Sequence, residues 1–219
     1  MKKAALFLAA AAFLFAGNAQ AQLGVNIGYA PVTITNATTL GNNTTTTTSE
    51  MDGFFAGVTY NYGFSKDLGV AFGIQGRLNT KTSTGSANYI VISGNDKSTT
   101  TQFLLDVPVL LNFSFSLGSN AKLTAFAGPT FSYALYGNTH VTTTTNILGT
   151  ISTSEDNYPM FGDNSSLKRL DISAALGLQF QYNAFRLFGG YRLGLTDLNS
   201  SDNVKTTTSG IFAGIGYLL

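Results

Sequence analysis

The sequence predicts an all-β chain: an eight-stranded antiparallel up-and-down transmembrane β-barrel with four long outer loops and three short periplasmic turns. Three observations predict it. Apolar and polar residues alternate along eight separate runs, and a period of two puts each class on one face of a strand. Long Thr/Asn-rich segments and very short turns take turns between the runs, as in barrels that close within an outer membrane. Charged residues are only 11% of the 219, against 44% hydrophobic ones, well below the ~25% charge of a soluble domain.

The first element is an expected secretory signal, Met1–Ala21. Lys2 and Lys3 form its basic start, Ala4 to Ala16 its apolar middle, and Ala19-Gln20-Ala21 an A-x-A cleavage site. Residues 22–219 are then one barrel domain, long enough for eight strands of ~9–11 residues. Without Lys2 and Lys3 the 12 basic residues fall to 10 against 11 acidic ones, a charge of about −1. No basic patch points to nucleic acid. There is no cysteine, which excludes disulfides, thiolate metal sites and a lipidated Cys. Trp is absent, so 10 Tyr and 17 Phe must supply the interfacial girdles.

The first strand is expected over Leu23–Thr35, with Leu23, Val25, Ile27 and Tyr29 toward lipid. The second, Gly53–Phe64, turns Phe54, Val58, Tyr60 and Tyr62 outward, and Ser65-Lys66-Asp67 makes a turn. The third, Leu68 to about Thr80, keeps Gln75, Arg77 and Asn79 inside. The fourth, Thr101–Leu117, puts Gln102, Asp106 and Asn112 inside and Phe103, Phe113 and Phe115 outside, before a Gly118–Asn120 turn. Strand five covers roughly Ala121–Gly137, and strand six, Leu170–Asn183, faces Asp171 and Gln179 inward. An Asn183-Ala184 turn leads to strand seven, Phe185–Leu198, with Arg186 and Arg192 inside. Strand eight is Gly210–Leu219. The long loops, about 36–52, 81–100, 138–168 and 199–208, each carry a Thr run. Tyr62, Phe64, Phe113, Phe115, Tyr182, Phe185 and Tyr217 gather beside the short turns as a girdle. A soluble sandwich or barrel would show the same alternation, but its outer face would carry many Lys and Glu. Here the non-apolar face is Gly, Ser, Asn, Gln and Thr, which suits a polar lumen.

Three stretches carry a family resemblance. Leu104-Leu105-Asp106-Val107-Pro108-Val109-Leu110-Leu111 has an acid two residues before a Pro, followed by aliphatics. Ala127-Gly128-Pro129-Thr130-Phe131 places a Gly-Pro in the next strand. Tyr191-Arg192-Leu193-Gly194-Leu195-Thr196-Asp197-Leu198 is similar to a Y-x-x-G-L-T-N-L segment, with Asp197 where Asn is commoner. The chain resembles the PorT-like outer-membrane β-barrel domain family over nearly all of residues 22–219. The resemblance implies an eight-stranded barrel in a Gram-negative cell outer membrane. PorT itself is tied to secretion and gliding, a role that barrel motifs alone do not carry onto this chain.

The few inward charges are the candidate site. Arg77, Asp106, Asp171 and Arg192 lie at similar heights, and Arg77/Asp106 and Asp171/Arg192 fall on neighbouring strands. Since an unpaired buried charge is costly, two Arg–Asp pairs are expected, with Gln75, Asn112 and Gln179 satisfying leftover groups. The network is either a gate or a plug; eight strands leave an interior that side chains alone can fill. Pro108 and Pro129, unable to donate to a ladder, predict a bulge or a local gap in pairing.

No catalytic, cofactor-binding or metal residues are assigned, and no cofactor is expected. His140 is the one histidine, in a polar loop without a matching Ser and base. Glu50 with Asp52, and Glu155 with Asp156, lack the ligand spacing of a dedicated cation site. Ile215, Tyr217 and Leu219 resemble the terminal signal read by barrel insertion machinery, with Leu219 replacing the usual Phe. The expected function is non-enzymatic, structural or surface-interacting. Expected partners are outer-membrane lipid, lipopolysaccharide and the insertion machinery. At the outer loops two readings stand, a protein or glycan partner and inert spacers. The alternatives are a narrow diffusion pore and a PorT-like accessory of a secretion complex.

Overall fold

The computed structural model describes residues 21–88, 92–147, 150–162, 165, 167–201 and 203–219; the signal expected over Met1–Ala21 lies outside these, apart from Ala21. Ten strands follow in order: β1 (Ala21–Tyr29), β2 (Val32–Leu40), β3 (Asn43–Gly63), β4 (Leu68–Asn88) and β5 (Ile92–Ser116). Then come β6 (Ala121–Ile147), β7 (Thr150–Pro159), β8 (Leu170–Tyr182), β9 (Phe185–Gly194) and β10 (Val204–Leu218). Every pairing is antiparallel, and the ring closes where β1 and β2 pair with both β3 and β10. β1 and β2 are two halves of one barrel strand. They part at Ala30-Pro31, because Pro31 has no N–H to give the ladder. The register with both neighbours continues unchanged across the break. The neighbours there are Gly53 and Gly210, and a Cβ on either would lie 2.1 Å from the carbonyl oxygen of Ala30 or Pro31. Bare backbone on both sides lets the interrupted strand stay seated. Eight barrel strands result, with β7 outside the ring on the edge of β6.

The polarity is inverted relative to a soluble core. The most completely buried side chains are Asn79, Thr130, Asp106, Ser132 and Ser173. Val25, Ile27, Phe54, Ile74, Leu111, Leu176, Leu187, Ile211 and Ile215 are exposed on the outer wall. An apolar exterior around a polar interior needs hydrocarbon outside. At the short-turn rim, aromatic pairs form a girdle: Tyr62–Phe64, Phe113–Phe115 and Phe185–Tyr217, with ring centroids 5.4, 4.6 and 5.2 Å apart. Asn183 (φ 52°) and Gly118 (φ 100°) make two of these turns with left-handed backbone.

The segments expected as long loops are largely strand. Thr44–Thr48 pair with Thr35–Thr39, and the β4–β5 ladder runs on to Asn88↔Ser93. β6 continues to Ile147 and folds back as β7, whose ten residues are all exposed. Threonine is β-branched and suits a pleated strand. Its low hydropathy reads as loop, while its backbone preference is strand. Pro108 and Pro129 produce the local gap rather than the bulge. Pairing skips Val109-Leu110 against Gly128-Pro129, and Gly73-Ile74 against Val107-Pro108, with the register kept on both sides. The bulge of this sheet falls elsewhere, between Phe103 and Leu104, where Leu135 is the extra residue.

Candidate functional site

Strand periodicity turns Arg77 of β4, Asp106 of β5, Asp171 of β8 and Arg192 of β9 into the lumen. Arg77 grips Asp106 in a two-pronged contact, Nε donating to Oδ2 at 2.8 Å and a terminal nitrogen to Oδ1 at 3.3 Å. Arg192 donates to the same Oδ2 at 2.9 Å from the far side of the lumen. Asp106 is fully buried, so one carboxylate holds two guanidinium groups in a low-dielectric interior.

The second expected pair is not formed. Asp171 instead accepts hydroxyl hydrogen bonds from Thr196 (2.6 Å) and Thr208 (2.7 Å). Adjacency in the sheet puts Asp171 and Arg192 close, but the guanidinium reaches across the narrow lumen to a carboxylate already gripped by Arg77. The residues expected to satisfy leftover groups also differ. Asn79 accepts from Arg77 at 3.5 Å and donates to Gln102 at 3.3 Å, in the places foreseen for Gln75, Asn112 and Gln179.

Arg186 is inward and buried, as expected, but it forms a contact outside the expected network: it donates to Asn26 (2.6 Å) and Thr59 (3.0 Å) and meets no carboxylate among the described residues. A second feature was not foreseen. Four phenylalanines also point inward: Phe55, Phe126, Phe188 and Phe212. Each ring covers a glycine on a neighbouring strand, Gly28, Gly177, Gly214 and Gly190 respectively, where a Cβ would come within 2.4–2.8 Å of ring atoms. Phe55–Phe188 and Phe126–Phe212 centroids are 6.1 Å apart, so the rings form an apolar layer across the lumen. The signal was present: these phenylalanines sit in the inner register, on strands whose neighbours carry inward glycines.

The Arg192 guanidinium stacks 5.9 Å from the Phe212 centroid. Arg192 and Phe212 wall two cavities at once, an outer one of about 80 Å³ and an inner one of about 70 Å³. At ~30 Å³ per water, each holds only a few molecules. Met160 and Phe161, just after β7, close over the outer cavity. Gln102 donates to the Met160 sulfur at 3.4 Å, and Arg169 stacks 5.3 Å from the Phe161 centroid.

His140 lies on the outer part of β6, with Nδ1 3.1 Å from Asn157 Oδ1 and Nε2 3.4 Å from Thr142 Oγ1. Among the described residues no three His, Asp or Glu side chains cluster as a metal site. Of the acidic loop pairs, Asp52 accepts a hydrogen bond from the Tyr29 hydroxyl. Ile215, Tyr217 and Leu219 are exposed on the outer wall at the closing seam.

A closed β-barrel with an apolar exterior and a charged, side-chain-filled lumen defines the class: a small integral barrel of the cell outer membrane. Residues 15–200 match the family model described as the outer membrane protein beta-barrel domain, and the chain belongs to that family. This match is to the broad domain and is coarser than the PorT-like resemblance. Among solved structures, the attachment invasion locus protein Ail of Yersinia pestis is similar, at 18% identity over 91% of this chain and 100% of that one, TM-score 0.32. Neisserial surface protein A is 14% identical over 88% and 96%, TM-score 0.33. The outer membrane protease OmpT of Escherichia coli is 7% identical over 90% and 97%, TM-score 0.39. No curated protein matches the chain.

Proposed function

We propose that this is a non-enzymatic surface-interaction barrel, in which the lumen is a structural plug and the outer threonine sheets meet a protein or glycan partner. The observation that carries the reading is the hydroxyl array beyond the barrel. Thr39–Thr44, Thr82–Thr99, Thr100–Thr139 and Thr144–Thr153 hydroxyls pair across strands at 3.1, 3.5, 3.0 and 3.5 Å. Each hydroxyl can both donate and accept, and the charges among these ladders are of both signs, Asp96 and Lys97 on β5 and Glu155 and Asp156 on β7, which suits a hydroxyl-rich ligand surface. The plug is supported by the Asp106–Arg192–Phe212 septum between two small cavities. Lipid and lipopolysaccharide contact the apolar wall, and Ile215, Tyr217 and Leu219 serve the insertion machinery.

The test compares cells displaying the wild type with cells displaying a Thr82→Val, Thr99→Val, Thr100→Val, Thr139→Val variant. Val keeps the shape and strand preference and removes the hydroxyls. Adhesion to glycan-coated or protein-coated surfaces should fall in the variant; unchanged adhesion at equal surface expression would refute the reading. A PorT-like secretion role is the second reading, supported by the Leu104–Leu111, Ala127–Phe131 and Tyr191–Leu198 motifs. Deleting the gene should then block secretion, and the protein should co-purify with a partner complex.

A further inference from the structure

We infer that the inner lumen cavity is a binding site for one small monovalent anion of the halide class. Two guanidinium side chains, Arg186 and Arg192, line this cavity, and among the described residues no carboxylate does. Arg77 and Arg192 share Asp106, with Asp171 close by, so the lumen charge left without a carboxylate is that of Arg186. Arg186 has only neutral acceptors, Asn26 Oδ1 and Thr59 Oγ1. A buried charge without a counter-ion is strongly unfavourable, and an anion in the adjoining cavity removes that penalty.

A second observation points the same way. Arg186 Nε, Arg192 Nε and Thr130 Oγ1 are buried without a hydrogen-bond partner, and all three residues line this one cavity. The shared feature of these groups is donor capacity toward an acceptor that the protein itself does not supply. Size selects the ligand. About 70 Å³ admits a halide with a water beside it, and the Phe55, Phe126, Phe188 and Phe212 rings bound that space on its apolar side. Asn61 and Asn112 line both this cavity and the periplasmic mouth, where Lys66 and Lys122 outnumber Asp67, giving a net cationic approach from the periplasm.

The refolded protein in detergent should be melted in sodium chloride, in sodium bromide and in sodium gluconate at matched ionic strength. Chloride and bromide should raise Tm saturably, by about 2–4 °C, whereas gluconate is too large to enter. Arg186→Gln should abolish the difference between the salts. Crystals grown in bromide should show an anomalous peak in the cavity beside Arg186. Equal melting of the wild type in all three salts, or a bromide map with no peak there, would overturn the inference. Both measurements use the wild type, so they decide the matter even if the variant does not fold.

Discussion

Replacing Asp106 by Asn removes one negative charge and keeps the side chain's size, which makes it a direct probe of the lumen network. In the wild type, Asp106 accepts three N–H bonds, two from Arg77 and one from Arg192, in a fully buried position. Asn retains one acceptor oxygen and turns an NH₂ group toward a guanidinium. About two charge-assisted bonds are lost, each contributing roughly 1.5–3 kcal/mol, and Arg77 and Arg192 lose the carboxylate they share. The sum is about 3–6 kcal/mol, which spans the ~3–5 kcal/mol typical of breaking a buried pair from one side. Asp171→Asn should cost less, about 1–2 kcal/mol, because its partners are the neutral hydroxyls of Thr196 and Thr208. Urea unfolding of both variants in lipid vesicles, followed by heat-modifiable gel mobility, gives the two values. A loss below about 1 kcal/mol for Asp106→Asn, or a larger loss for Asp171→Asn, would refute the idea that one carboxylate organises the lumen.

Gly177→Ala should destabilise the barrel by about 1–3 kcal/mol, since its Cβ would lie 2.3 Å from the Gly189 carbonyl and 2.4 Å from the Phe126 ring. Gly85→Ala, with open space around it, should stay within about 0.5 kcal/mol in the same unfolding assay. Asp197, just after β9, accepts backbone N–H bonds from Asn199 (2.9 Å) and Thr206 (2.8 Å), and these hold its carboxyl below the usual carboxylate range. A depressed folded value means its contribution is complete above the unfolded pKa of about 3.9 and is lost as pH falls through the lower folded value. The protection factor of the Thr206 amide, measured against the intrinsic exchange rate at each pH, should therefore fall only in acid, and Asp197→Asn should flatten that dependence. Removing Tyr217–Leu219 deletes the Gly24↔Leu218 and Val25↔Tyr217 closing pairs and the outward terminal residues, so membrane-inserted yield should collapse; normal yield would contradict the assembly role. Planar-bilayer recordings of the refolded protein should stay silent, and steady openings would count against the plug.

The barrel was legible because a period of two survives in all eight runs. The Arg77–Asp106 contact was legible for the same reason: neighbouring strands and a counted height place the two side by side. The partner of Arg192 was not, since it lies across the lumen, and strand adjacency carries no information about which side chains meet through the middle. Asp171 was misassigned because one partner, Thr208, fell in an expected loop (199–208), and the other, Thr196, lies past Gly194, where β9 ends, although strand seven was expected to run to Leu198. The phenylalanine layer stayed hidden for a different reason. Counting apolar residues as outward overlooked that Phe55 follows an outward Phe54, and that inward glycines leave ring-sized hollows beside it.

The outer threonine segments are ladders rather than loops, and this bears on how strongly they can hold a ligand. A floppy polar loop gives up ~1–2 kcal/mol of backbone entropy for each residue that a partner immobilises. In Thr44–Thr48 or Thr142–Thr145 that ordering is complete before any encounter, because their backbones are already paired in register. β-branching also restricts χ1, leaving the hydroxyls few rotamers to lose. Weak individual contacts can therefore add up to useful affinity.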